Sequence, residues 1–387
     1  MAFTDTSAIS GLVQTAYDRY VEFALRAQPM IRAVADKKPV QQAMPGSSVV
    51  FSLYNDLSAA TSTLTETTDP AAVAISNVDT VSVTLAEYGN AALVTRKLQL
   101  FSLSDVDPAV ADIIAYNLAD SLDIVAQDVL RQGTNVIYGG NKTSTATITA
   151  SDTIDSADLR KVVAKLRSNK AVPRAGSLYW TGIHPEVSHD LRAETGSVGW
   201  RDTHSQTDAS LGNLFAGTIG TYEGAFFVEN PRMFSAKSGA DQSALPTAPA
   251  VSGVSGEFTI VVANAAFGGR AEVGDKISGT GVGASAKITA ISVGASNTTL
   301  TVSVANSGTV GTNTLTVTPV TRVFSTLVCG KQALAEAVAQ EPGVVIGPVT
   351  DKLMRFRPIG WYGVLGWSRY REEALYRIET GSSIAAL

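Results

Sequence analysis

VVFSLYNDLSAATSTLTETTDPAA, from Val49 to Ala72, begins as a strand and then changes character. Val49 to Leu53 is a β-prone, largely apolar run. After Asp56 the chain is mostly Ser, Thr, Ala and acid, and Leu57 and Leu64 are the only large apolar residues between Tyr54 and Val73. The stretch contains no Gly for a tight turn, no His and no basic residue. It is too polar for a core and too β-prone for a disordered tail. A strand of about 15 residues starting at Val49 reaches roughly 50 Å, more than a compact domain needs for its own hairpin. No Lys or Arg occurs between Lys38 and Arg96, so the whole region is neutral to acidic.

Working outward, Val78 to Leu85 alternates Val, Val and Leu with Thr and Ser, which predicts a strand. DPAVADIIAYNLADSLDIVAQDVLRQG follows, with Asp107 placed as an N-cap, Pro108 at the first helical position and Gly133 as a C-terminal cap. Its apolar residues, Ile114, Leu118, Leu122, Val125 and Val129 among them, fall largely on one stripe. About 25 helical residues would run roughly 37 Å, the length of a spine. The acids Asp107, Asp112, Asp120, Asp123 and Asp128 flank that helix and read as a solvated or subunit-facing side. A second helix is predicted over Ser156 to Asn169, with Leu159, Val162, Val163 and Leu166 on one face. SLYWTGIHPEVSHDLRAE reads as a buried strand, a corner at His184-Pro185 and a short helix. At the N-terminus Ile9 to Ala35 is helix-compatible and ended or kinked by Pro29. KQALAEAVAQ, from Lys331, has helical composition, and RFRPIGWYGVLGWSRYREEALYRIET ends the chain as aromatic-rich strands.

Ser235 to Pro319 has a different texture, with no Tyr or Trp, few charges, and much Gly, Ser, Thr, Ala and Val. EFTIVVAN, GDKISG, SAKITAIS, TTLTVSV and NTLTVTP are five strand-like pieces separated by Gly, Asn and Ser turns. GADQSALPTAPAVSG is a linker by composition. The expectation is a small inserted β-domain entered and left through one hinge.

Composition limits the chemistry. The 387 residues carry 35 acidic and 30 basic side chains, a net charge of −5. That balance excludes a protein whose main task is gripping nucleic acid through a basic face. Cys329 is the single cysteine, so no intrachain disulfide forms, which fits a reducing compartment. The N-terminus shows no signal-peptide pattern, and no stretch approaches the roughly 20 apolar residues that cross a bilayer. His184, His189 and Glu186 match no metal-ligand spacing. Cys329 lies in the apolar run FSTLVCG and reads as a buried thiol. GTGVGAS, from Gly279, lacks the helix and the Lys of a phosphate loop and reads as a turn. The residues assemble into no catalytic constellation, and neither a cofactor nor a metal is expected.

Taken in order, five stretches resemble the major capsid proteins of tailed double-stranded DNA bacteriophages, with the Hong Kong 97-type fold. PMIRAVADKKPVQQAMPGSSVVFSLYNDLSAATSTLTE is similar to that family's N-terminal arm and extended loop, and VSVTLAEYGNAALVTRKLQLFS to its return strand. DPAVADIIAYNLADSLDIVAQDVL resembles the spine helix. LYWTGIHPEVSHDLRAETGSVGW resembles the axial domain, and GPVTDKLMRFRPIGWYGVLGWSRYREEALYRIET the closing sheet of the peripheral domain. The resemblance implies an α+β fold with an N-terminal arm over 1–45 and an extended loop with return strand over 46–95. It implies a peripheral domain over 96–150 and 345–387, an axial domain over 151–234 and 320–344, and the inserted β-domain over 235–319. It further implies hexamers and pentamers closing an icosahedral shell around DNA. The loop would reach over a neighbouring subunit, with Leu57, Leu64, Glu66 and Asp69 as candidate interface residues. Some members cross-link that loop through a lysine, which this loop lacks. No long scaffolding segment precedes the first helix, so a separate scaffolding protein is implied, with a portal and a decoration protein as further partners. The chain would be made in the bacterial cytoplasm and end in the virion. Two alternatives stay open from the residues alone: an encapsulin-type compartment shell, and a tail-tube or sheath subunit.

Overall fold

The computed structural model describes residues 29–39, 48–54, 57, 59–61, 63–64, 66–67, 69, 78–101, 106–194, 218–245, 251–264, 267, 271–311, 315–348, 353 and 355–384. The helix expected from Ile9 lies outside them, apart from a 3-10 turn at Ile31–Val34. The first part of the chain carries β1 (Asp36–Pro39), β2 (Ser48–Tyr54), β3 (Val78–Thr84) and β4 (Ala86–Thr95). Helices α1 (Arg96–Phe101) and α2 (Val106–Arg131) follow. Next come β5 (Val136–Tyr138), α3 (Ser156–Ser168), β6 (Tyr179–Ile183), α4 (Pro185–Ala193), β7 (Thr218–Tyr222), β8 (Ala225–Glu229) and β9 (Ser235–Asp241). Six short strands succeed them: β10 (Val251–Ser252), β11 (Thr259–Val262), β12 (Lys276–Ser278), β13 (Ile288–Val293), β14 (Thr298–Val302) and β15 (Thr316–Thr318). The chain closes with β16 (Val320–Cys329), β17 (Leu334–Ile346), β18 (Phe356–Arg369) and β19 (Leu375–Thr380).

The chain forms two compact units. The first comprises 1–32, 37–126 and 335–368, and the second 33–36, 127–334 and 369–387. In the first, a four-stranded sheet runs in the order β1-β17-β18-β4. Trp361 on β18 donates from Nε1 to Asn117 Oδ1 of α2 at 2.9 Å, and Asn90 on β4 reaches the same oxygen at 3.2 Å. The long helix starts at Val106, so Asp107 is its second residue rather than its N-cap. Ile114, Leu122, Ala126 and Leu130 are buried along it, while Ile113 and Ile124 are exposed.

The second unit is built on a seven-stranded sheet, β5-β19-β16-β6-β8-β7, with β9 also pairing β16. β5 runs parallel to β19, and β6 parallel to β8. Helix α3 is capped at its start by Asp155, whose side chain accepts from Asp158 N–H, and carries Lys165 and Arg167 in its last turn, as the helix dipole favours. Its Leu159, Val162, Val163 and Leu166 are buried in one cluster with Ile183, Val187, Leu191, Phe227, Phe324 and Ile378. Each such side chain contributes about 1.5–3 kcal/mol when fully buried. The short strands form their own core, with Ile260, Val262, Ile288, Leu300, Leu315 and Val317 buried together. All five strand-like pieces of the sequence there form strands.

Three expectations change. KQALAEAVAQ does not form a helix; its residues from Leu334 open the 13-residue strand β17. Leu334 to Ala337 are buried in a strand lined by β1 and β18, and pairing on both edges outweighs helix propensities worth only tenths of a kcal/mol per residue. Ser235–Asp241, read as the start of the small β-domain, is instead a host strand: Ser235 pairs with Phe324, Lys237 with Arg322 and Asp241 with Val320. The closing segment divides between sheets, since β18 pairs β4 in one and β19 pairs β16 in the other.

Candidate intersubunit arm

β2 and β3 form an antiparallel hairpin in the register Ser48↔Thr84 to Tyr54↔Val78. Among the described residues no third strand pairs with it. Its base is seated within its own unit: Phe51 and Val83 are buried. Gly366 of β18 permits the approach, because a Cβ there would lie 2.1 Å from Thr84 O. Toward the tip, Leu57 and Leu64 are 54% and 76% exposed. Glu66 and Asp69 are exposed as well. The structure therefore puts the four candidate residues on one solvent-facing segment beyond an anchored hairpin. It brings none of them against the core.

Beyond β4, α1 presents Leu98, Leu100 and Phe101, exposed by 50%, 74% and 79%, beside the exposed Arg96 and Lys97. Neither α1 nor its apolar surface was singled out in the sequence, where RKLQLF reads as the end of a strand.

Near the N-terminal arm the structure reveals a carboxylate clamp that sequence reasoning missed. Asp123 Oδ1 accepts Ile31 N–H at 2.6 Å and Arg32 N–H at 3.0 Å. Arg32 in turn reaches the fully buried Glu336 at 2.7 Å and Glu341 at 3.0 Å. Burial raises the Asp123 pKa above its ordinary value, opposed by these backbone hydrogen bonds. Asp123 was grouped with the solvated acids of α2; it is 2% exposed, whereas Asp112 and Asp128 do face solvent. Its one sequence signal is position, one residue from the buried Leu122 and four from the buried Gln127.

The remaining chemical candidates have structural surroundings. His184 is the N-cap of α4, where its Nδ1 accepts from Glu186 N–H at 3.3 Å, and its ring lies 4.8 Å from that of Phe324. Burial lowers its pKa, with the Arg322 charge as a second cause. His189 contacts Asp190 at 3.2 Å. His204 lies outside the described residues. Cys329 is buried in β16 and its thiol pKa is pushed up to about 12 by desolvation. Among the described residues no three His, Cys, Asp or Glu side chains are grouped to hold a metal ion. No helix among them is long and apolar enough to cross a membrane.

A long helix against a four-stranded sheet, a second sheet domain and a two-stranded hairpin give the mixed α+β architecture that the capsid resemblance implies. Comparison with known proteins agrees. A family model described as phage capsid protein matches residues 9–383, and the chain belongs to that family. The fold is also that of solved capsids. The capsid asymmetric unit of cyanophage Pam1 has a TM-score of 0.61 at 12% identity, with 98% of this chain and 100% of that chain covered. The capsid of Ralstonia phage GP4 has a TM-score of 0.60 at 12% identity, with 98% of both chains covered. The capsid of Helicobacter pylori bacteriophage KHP30 has a TM-score of 0.55 at 13% identity, with 98% and 99% covered. No curated protein matches the sequence. The chain has the Hong Kong 97-type α+β fold and is a major capsid protein, a structural component of the phage shell.

Proposed function

We propose that this chain assembles as hexamers and pentamers into an icosahedral shell around double-stranded DNA, and that residues 55–77 are the arm by which each subunit grips the next. The observation that carries the arm is the β2–β3 hairpin: its base is buried by Phe51 and Val83, and its tip exposes Leu57 and Leu64. An isolated two-stranded ribbon is at best marginally stable in water, so a long one calls for a surface to lie on. A neighbouring copy supplies that surface, Leu57 and Leu64 being the apolar anchors and Glu66 and Asp69 the polar contacts. Repetition around a closed shell multiplies a modest contact.

In this reading the chain has no catalytic activity and needs no cofactor. A separate scaffolding protein guides assembly, a portal occupies one vertex, and a decoration protein is a further candidate partner. DNA is enclosed without sequence-specific contact, in keeping with a net charge of −5. Synthesis and assembly take place in the host cytoplasm. Electron microscopy of particles purified from expressing cells tests the proposal: closed icosahedral shells with five- and six-fold capsomers support it, and tubes as the sole native particle overturn it.

A further inference from the structure

The small β-domain leaves the host sheet from β9 and returns through β16, two strands paired side by side. Their ladder continues past the sheet: Gln242 N–H donates to Pro319 O and Leu245 N–H to Val317 O, both at 2.8 Å. Such a two-chain neck could by itself flex or twist. At its root, however, stands a buried ionic cluster. Lys237 of β9 has a side chain only 10% exposed, and its Nζ lies 2.6 Å from Asp275 Oδ1 in the small domain. Asp275 is 1% exposed, and its carboxylate is satisfied from both sides of the neck. Val320 N–H of β16 donates to Oδ1 at 3.2 Å, and Glu272 N–H donates to Oδ2 at 2.8 Å.

Around this pair a second layer resolves a conflict. Lys237 and Arg322 are cross-strand partners in the β9–β16 register, an arrangement that places like charges opposite one another. Glu272 lies 2.9 Å from Lys237 and 3.3 Å from Arg322, so one carboxylate of the small domain meets both host cations. The hydrogen bond from Lys237 is the main cause that holds the Glu272 carboxyl below its ordinary pKa. Gly274 lets the acidic turn come this close: its φ is +100°, and a Cβ there would lie 2.9 Å from Lys237 Cβ. A third pair, Lys276 with Asp241 at 2.6 Å, is solvent-exposed and worth little by comparison.

We propose that the Lys237–Asp275 pair, bridged through Glu272 to Arg322, is a latch that fixes the small β-domain in one orientation on the host sheet. The domain is then a rigid facet of the subunit rather than a tethered appendage. A buried pair of this kind specifies geometry: both charges find their hydrogen-bond partners in this one arrangement, and a shift of the domain that separated them while they stayed buried would leave each charge uncompensated.

The test uses the full chain. Val172 and Val254, 56% and 67% exposed, are changed to cysteine for spin labels, because the native thiol is buried. Labelled chain is diluted with unlabelled chain so that only intrachain distances are read. The parent should give one narrow distance distribution. K237M/D275N, which removes the attraction without stranding a charge, should broaden it. Amide exchange at Gln242 and Leu245 should accelerate by at least about tenfold. K276M, which removes only the exposed pair, should change neither. A broad distribution in the parent overturns the latch outright, even if the double variant fails to fold. An unchanged distribution in a folded K237M/D275N chain also overturns it and assigns the rigidity to the backbone neck.

Discussion

Changing Leu57 and Leu64 together to Asp tests the arm most directly. Full burial of a leucine contributes about 1.5–3 kcal/mol. Scaled by the 54% and 76% still exposed, Leu57 has about 0.8–1.6 and Leu64 about 1.1–2.3 kcal/mol left to gain on docking. Together that is about 2–4 kcal/mol per subunit, or roughly 30- to 700-fold in each contact's equilibrium constant. Aspartates at these positions lose this term and add the cost of pressing carboxylates into an apolar interface. By the same scaling the remaining 46% of Leu57 and 24% of Leu64 are already covered within one chain and are worth about 1–2 kcal/mol, so the variant's own stability should fall by no more than that. Circular dichroism melts of the unassembled chain and particle yield by sedimentation are measured side by side. The expected result is a melt lowered by only a few degrees, with few or no particles, or particles that fall apart on mild heating. A melt that collapses with the yield means the segment packs inside its own subunit. Normal shells with parental heat resistance refute the arm altogether.

Three further outcomes are expected. Mature particles boiled in detergent should release the chain at monomer mass, since residues 39–95 contain no lysine; a ladder of covalent oligomers in denaturing electrophoresis would contradict this. Replacing 243–318 by a short Gly/Ser linker should leave a folded host, whereas replacing 235–319 also removes β9 from its ladder with β16 and should lower the melting temperature further; equal melts would show that β9 adds nothing to the host sheet. Asp123 has a folded pKa raised above its ordinary 3.8, so the folded state holds that proton more tightly than the unfolded one. Its contribution to stability therefore falls as pH rises from that ordinary value through the raised one. D123N keeps an acceptor for Ile31 and Arg32, so its melting temperature relative to the parent should improve across that window and level off above it. A difference that is flat with pH, or of opposite slope, would rule out a raised pKa.

Much of the architecture was legible in the residues. The α2 stripe, the apolar face of α3, the alternation of β3 and the five strand pieces of the small domain are local patterns: periodicity and β-propensity act over a few residues and leave their mark there. The order of those pieces was enough to suggest the capsid family. The stretch that holds Leu57, Leu64, Glu66 and Asp69 stands out for the same reason, because a polar β-prone segment with two isolated leucines differs visibly from core and from linker; their place in an interface is the proposal made above. What the proposed arm docks on is written in no local pattern, since in that reading the surface belongs to another copy.

The tertiary structure alone decided the rest. Lys331 to Gln340 is rich in Ala, Leu, Glu and Gln, yet from Leu334 it is strand, because β1 and β18 offer partners on both edges. SAKSGAD has a polar, glycine-containing sequence like the linker after it, yet it is a host strand because β16 runs alongside. Asp123 resembles its exposed neighbours Asp112 and Asp128, and only the return of residues 31 and 32, 91 or more positions away in sequence, makes it a buried acceptor. Lys237 and Asp275 are two ordinary charges 38 positions apart until the neck closes and removes water from between them. In each case the deciding energy is a long-range pairing or a desolvation, which depends on what the fold brings near and not on the residues next in line.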